Sequence, residues 1–261
     1  MRGLNAFVVG GTGGVGSLLV DMLVKNKYHV SATFRKAADQ ANIEKLGAKA
    51  VQLDLAKSTP EQLTDELTGF DHIFFTAGSG GKDVWNVDRD GAVKVCHALS
   101  AMASSSSNGI ISKKSQHSKN AHYIVLSSIG VHKPEIMGDL EDYGKAKKEA
   151  DDLIWKDQIK KTIIRPGALT DDKETGKIIV NGGTGGMPEV SLIEKTKKIT
   201  NTRADVARTM MEAAKIFNND EESRLFEMIN GNDDLDPGMD IAKALETLSK
   251  PVVDYDALGT Y

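Results

Sequence analysis

The seven residues Gly10-Gly11-Thr12-Gly13-Gly14-Val15-Gly16 constrain the fold more than any other stretch of the chain. A short apolar run at residues 6–10 leads into them, and Val15, Leu18, Leu19, Met22 and Leu23 follow at helical spacing. Strand, tight turn and helix in immediate succession need glycine in three places: where the backbone bends, where it approaches a ligand, and where the helix packs on the strand. Gly10, Gly13 and Gly16 fall there. The N–H groups opening a helix over 14–25 then face outward, and the helix dipole favours an anion. The turn therefore reads as a seat for the pyrophosphate of a dinucleotide. Gly-Gly-Thr-Gly-Gly recurs at residues 182–186, but Met187-Pro188-Glu189 follows it instead of an amphipathic helix, and that copy reads as a turn.

Beyond the glycine turn, strand and helix patterns alternate. Strands are expected at 28–34, 50–53, 71–76, 123–126 and 161–164, and helices at 43–46, 60–67, 88–103 and 143–155. Thr59 is placed to cap the helix that Pro60 opens. Such alternation implies an α/β fold of Rossmann type, a doubly wound parallel sheet with right-handed crossovers. Past residue 167 the pattern is less regular, with a strand at 177–181, a helix at 204–217, a strand at 224–229 and a short helix at 241–248. The length of 261 residues suits a single domain with its core at about 5–215 and a small C-terminal extension. Segments 168–200 and 218–261 are left to supply a substrate wall, a lid or a dimer edge. Residues 104–120, rich in Ser, Lys and Asn, read as a solvated insertion, or alternatively as a regulatory or partner site.

Composition narrows the function. The net charge is −4 with acids and bases interleaved, which gives no basic face for nucleic acid, and no apolar run is long enough to span a bilayer. Cys96 is the only cysteine, and His72, His122 and His132 share no metal-ligand spacing, so neither a disulfide nor a metal is expected. The first residues run straight into a strand, leaving no room for a leader. The expected setting is cytoplasmic, or an organellar stroma or matrix if a transit peptide has been removed. A small-molecule substrate is the expected partner, bound by a monomer or homodimer.

Cofactor choice turns on the end of the second strand. NAD sites place a carboxylate there for the ribose 2′-hydroxyl; here Arg35 and Lys36 stand in its place and suit the 2′-phosphate of NADP(H). Two solvated cations are the alternative, and NAD(H) stays possible. Asp54, with Leu55 beside it, ends the third strand and could accept from the adenine amino group or simply cap a turn. A second constellation lies downstream. Tyr143 and Lys147 share one face of a helix at i, i+4, and a nearby ammonium makes a phenol a better proton donor. Ser127-Ser128, just upstream, ends the fifth strand at the carboxyl edge of the sheet, where ligands bind in this architecture. Asp151-Asp152 read as a solvated helix face. Asp205 reads as the cap or anchor of its helix, paired with Arg203.

Taken together, Gly10 to Gly16, Thr76-Ala77-Gly78, Ser127-Ser128, Tyr143 with Lys147, and Arg165-Pro166-Gly167 resemble the short-chain dehydrogenase/reductase superfamily over residues 5–215. The glycine pattern, Arg165-Pro166-Gly167 and Thr202-Arg203-Ala204-Asp205-Val206-Ala207 look most like its atypical branch, similar to NmrA and to the flavin and biliverdin reductases. The resemblance implies that Ser128 polarises a substrate carbonyl, Tyr143 is the general acid, and Lys147 holds the nicotinamide ribose and tunes Tyr143. Gly78 and its neighbours would line the nicotinamide side, and Pro166, Gly167 and Ala168 its carboxamide. The Ser128 to Tyr143 gap is slightly longer than in the main branch. The expected activity is NADPH-dependent reduction of a small carbonyl, quinone or conjugated substrate. A non-catalytic NADP(H)-binding sensor or assembly protein is the alternative, and a nucleotide-sugar epimerase or dehydratase a third.

Overall fold

A computed structural model describes residues 3–105, 121–184, 191–231 and 236–248. Most of the 104–120 insertion and the tail beyond Leu248 lie outside the described residues, so the regulatory, lid and dimer-edge expectations for them stay with the sequence. The chain runs β1 (Asn5–Val9), α1 (Gly14–Lys25), β2 (His29–Phe34), α2 (Gln40–Lys45), β3 (Lys49–Gln52), α3 (Pro60–Leu67), β4 (His72–Phe75), α4 (Asp90–Ser105), β5 (His122–Leu126), α5 (Glu141–Lys156) and β6 (Lys161–Pro166). It continues through β7 (Ala168–Thr170), β8 (Lys177–Gly183), α6 (Leu192–Lys195), β9 (Thr200–Thr202), α7 (Arg203–Ile216), β10 (Arg224–Asn230), β11 (Met239–Asp240) and α8 (Ile241–Thr247).

The apolar strands sort their side chains by alternation. In β1, Ala6 and Val8 enter one core while Phe7 and Val9 enter the other; in β5, Ile124 faces the first and Tyr123 and Val125 the second. Helices must cover both faces. Leu19 and Leu23 of α1, Met210 of α7 and Leu245 of α8 close the first core, and Leu63 of α3, Leu99 of α4 and Ile154 of α5 close the second. The result is a nine-stranded sheet in the order β11-β8-β10-β6-β5-β4-β1-β2-β3, parallel from β3 to β10, which is the doubly wound arrangement expected. Thr59 caps α3 as the sequence implies, in a reciprocal pair of hydrogen bonds with Gln62.

Two features differ from the sequence reading. The sheet is not parallel throughout, because β8 runs antiparallel to β10 and β11 antiparallel to β8. No helix separates β6 from β8, so β8 starts at the edge where β6 ends and must run back. The second glycine run is not a simple turn either: Gly182 and Gly183 lie in β8, paired with Phe226 and Leu225 of β10. Its last two glycines lie outside the described residues.

The amino edge of the sheet holds a buried titratable cluster. His72 and His122 are register partners in β4 and β5, 0% and 1% exposed, and the Tyr28 ring lies 5.9 Å from that of His72. Burial pushes the His72 imidazole down to about 4, and His122 also sits well below the usual range. The unfolded chain takes up these protons near pH 6.5 and the folded one does not, so stability is full above that pH and falls as pH drops towards 4. Urea unfolding at pH 7 and pH 5 should differ by roughly 2 kcal/mol from His72 alone. His72→Leu should flatten that acid slope, and an unchanged slope would count against the assignment.

Candidate dinucleotide and active site

All parallel strands end on one edge, and the site is built from the segments that follow them. Gly10 turns the chain off β1 with φ of 91°, and its N–H donates to Thr33 Oγ1 at 2.9 Å. Thr76, from the end of β4, donates its hydroxyl to Val9 O and Gly10 O at 3.0 and 3.2 Å, so side chains from β2 and β4 hold the turn from both sides. Gly16 packs so closely that a Cβ there would sit 2.1 Å from Gly10 O, which excludes any other residue without opening the turn. Gly13 is the N-cap of α1, which has no side-chain cap and no acidic residue in its first turn. Its first N–H groups are therefore available to an anion.

Two clefts along this edge adjoin the glycine turn. The first, of about 260 Å³, is lined by Gly10, Thr12, Gly13, Arg35, Lys36, Asp54, Leu55 and Thr76 to Gly78, all expected from the sequence, together with Thr33, Asp39 and Val87. Arg35 and Lys36 are exposed and pair with no carboxylate among the described residues. Asp54 Oδ1 accepts from Ala56 N–H at 3.2 Å, so the turn-capping role is real, and the residue lines the cleft as well. The second cleft, of about 470 Å³, shares Gly13 and Thr76 to Gly78 with the first, which makes the two the arms of one groove. Its walls bring together Gly14, Val15, Ser127, Ser128, Tyr143, Lys147 and Pro166 to Ala168. Gly11 and Gly16 line neither arm; Gly11 abuts Ala32 and Thr33 of β2, and both serve the packing of the turn.

Helix α5 carries the chemistry on one face. Lys147 is 4% exposed, donates to Leu126 O at 2.8 Å, and holds its Nζ 5.9 Å from the Tyr143 ring centre. One turn further on, Asp151 corrects the sequence reading. It is 1% exposed rather than solvated, because Arg165, itself buried, reaches it from β6 with Nε at 2.8 Å, and Ser127 donates its hydroxyl at 2.7 Å. A face carrying Tyr143, Lys147 and Asp151 at spacings of four is legible in sequence, but the cation that makes burial of Asp151 tolerable comes from another element. The Ser127 hydroxyl is thus committed to structure, while Ser128 Oγ makes only a long bond, 3.3 Å, to Ile129 O.

Several site residues were missed by sequence reasoning. Asp88 is 2% exposed and faces the second arm from a π-helical segment, Val84–Arg89, receiving Ser79 N–H at 3.0 Å. Nothing in the local pattern distinguishes that segment from the start of an α-helix. Arg203 also lines this arm without having been expected there, whereas Leu169 comes from the 168–200 segment left to supply a substrate wall. Arg203 does not pair with Asp205: it pairs with Asp171 at 2.8 Å. Thr202 caps α7, and Asp205 anchors the Thr175–Gly176 backbone and Asn230 instead. Among the described residues no group of three or more His, Cys, Asp or Glu could hold a metal ion, and no helix is long and apolar enough to cross a membrane.

Comparison with known proteins bears on the fold and on the cofactor class. The chain is similar to the Bacillus subtilis (strain 168) protein YhfK, which carries the name "uncharacterized sugar epimerase", at 31% identity over 94% of this chain and all of that one. The oxidoreductase ylbE from Lactococcus lactis superposes with a TM-score of 0.70 at 31% identity, covering 94% of this chain and 96% of that one. The reductase ChuY from Escherichia coli O157:H7 shares the fold, with a TM-score of 0.63 at 18% identity over 90% of this chain and all of that one. The sequence profile of a family described as NAD(P)H-binding matches residues 10–216, a span that starts at the glycine turn, takes in both arms of the groove and ends with α7. The chain belongs to that NAD(P)H-binding family.

Proposed function

We propose that the protein is an NADPH-dependent reductase that acts on a small carbonyl, quinone or conjugated substrate, with Tyr143 as proton donor. The observation that carries this reading is the single cleft in which Ser128, Tyr143 and Lys147 face the glycine turn. The bound nicotinamide would supply the hydride. Tyr143 would deliver its hydroxyl proton to the substrate oxygen, and Ser128 would exchange its long bond to Ile129 O for one to that oxygen, orienting it. Lys147 spends one of its three N–H donors on Leu126 O, which fixes the ammonium beside Tyr143 and leaves donors for a ribose hydroxyl. Steady-state assay of NADPH oxidation against a panel of aldehydes, ketones and quinones tests the reading. Turnover supports it, and a cofactor that binds but is never consumed overturns it in favour of a sensor.

NADPH is preferred over NADH in this reading because Arg35 and Lys36 rim the adenosine arm; Asp39, on the same wall, works against a 2′-phosphate. Calorimetry should show Arg35→Ala losing about 10- to 100-fold in NADPH affinity with no change for NADH. Equal wild-type affinities, or no loss in the variant, would overturn the preference. An epimerase is the second reading, favoured by the name of the Bacillus subtilis relative. Against it, the only described helix between β6 and α7 has four residues, so the described chain there supplies no helical layer to close over a sugar nucleotide. Interconversion of a nucleotide sugar without net use of cofactor would decide for the epimerase.

A further inference from the structure

We infer that Arg203 clamps the pyrophosphate of the bound dinucleotide, an inference that rests on the groove being the dinucleotide site. The two arms share Gly13 and Thr76 to Gly78, so a molecule with its adenosine in one and its nicotinamide in the other must carry its pyrophosphate across that junction. Arg203 lies there. It lines the second arm and packs across the first turn of α1: a Cβ on Gly14 would sit 2.7 Å from Arg203 Cδ and 2.9 Å from its Nε. Gly14 is thus the residue that lets the guanidinium stem approach the uncapped start of the helix.

Helix energetics alone do not account for a cation in this position. Arg203 is the first residue of α7, whose N-cap is Thr202, and it also overlies the N-terminal end of α1, so it stands at the positive ends of two helix dipoles. The first turn of α1 contains no acidic residue to offset it. Among the described residues its one ion pair is with Asp171, which is 88% exposed, and such a pair is weak and easily exchanged. An anion placed between Arg203 and the first N–H groups of α1 would satisfy the guanidinium and both helix ends together, and the planar fork of arginine matches two phosphate oxygens.

The test is calorimetry of the full chain with three probes: NADPH, NADH, and 2′-AMP, which carries the 2′-phosphate but no pyrophosphate. Arg203→Gln should weaken NADPH and NADH by the same factor, about 10- to 100-fold, and leave 2′-AMP unchanged. Affinities for both dinucleotides within about two-fold of wild type, or an equal loss for 2′-AMP, would overturn the clamp. Asp171→Asn, at an exposed position that does not threaten folding, should tighten both dinucleotides roughly two- to five-fold by freeing the guanidinium, and unchanged affinity there also counts against it. Failure of the wild-type protein to bind either dinucleotide would instead refute the reading of the groove.

Discussion

Tyr143→Phe is expected to slow NADPH oxidation by about 10²- to 10⁴-fold, the range that one positioned proton donor contributes, while NADPH affinity stays the same. The substitution removes one oxygen from a partly buried ring whose other contacts, including the approach of Lys147 Nζ to its face, persist. Binding and chemistry therefore separate in a single variant. The measurement is the rate at saturating NADPH on whichever carbonyl or quinone the panel identifies, with cofactor affinity taken from fluorescence titration. A rate within a few-fold of wild type would remove Tyr143 from the proposed mechanism. Lys147 is less suited to this test, because its bond to Leu126 O ties α5 to the end of β5, and its loss would disturb the cleft as well as the proton path.

Asp151→Ala should destabilise the protein by about 3–5 kcal/mol, the cost of leaving one half of a buried ion pair in place. Arg165 is 1% exposed and loses the carboxylate at 2.7 and 2.8 Å, and the Ser127 hydroxyl loses its acceptor at the same time. Joint replacement, Asp151→Leu with Arg165→Met, removes both charges and should recover most of that loss, because well-packed apolar side chains often match or better a buried pair. Urea denaturation of the three proteins is the measurement. If the single variant loses less than about 1 kcal/mol, the pair is not the strut that joins α5 to β6 beneath the site. The double variant then reports function: Ser127 would keep its place on the cleft wall but lose the bond that fixes its hydroxyl, so cofactor affinity should fall less than stability does in the single variant.

The order of elements was legible because each signal was local. Apolar runs of strand length, amphipathic spacing in α1, α4 and α5, the Thr59 cap and the glycine turn each depend on residues within a few positions of one another. The antiparallel edge formed by β8 was not legible, because strand direction is set by whether a crossover helix intervenes, and the segment between β6 and β8 has no regular signal. The π-helical segment before α4 was hidden for a related reason. Its residues have ordinary helical composition, and only packing against the rest of the chain shows that Asp88 turns into the cleft.

At the site, order along the chain set which residues lie at the carboxyl ends of the strands: Gly10 to Gly16, Arg35, Asp54, Thr76 to Gly78, Ser128 and Pro166 to Ala168, plus Tyr143 and Lys147 on one helix face. In a parallel sheet those ends fall on a single edge, so order along the chain was enough to place them together. Tertiary structure alone decided the partners. Asp151 looked solvated until Arg165 arrived from β6, and Arg203 looked like a partner for Asp205 until α7 packed against α1 and set it over Gly14. The physical reason is that a charge's environment depends on what crosses it from distant parts of the chain, whereas a turn's geometry is settled by the residues that make it.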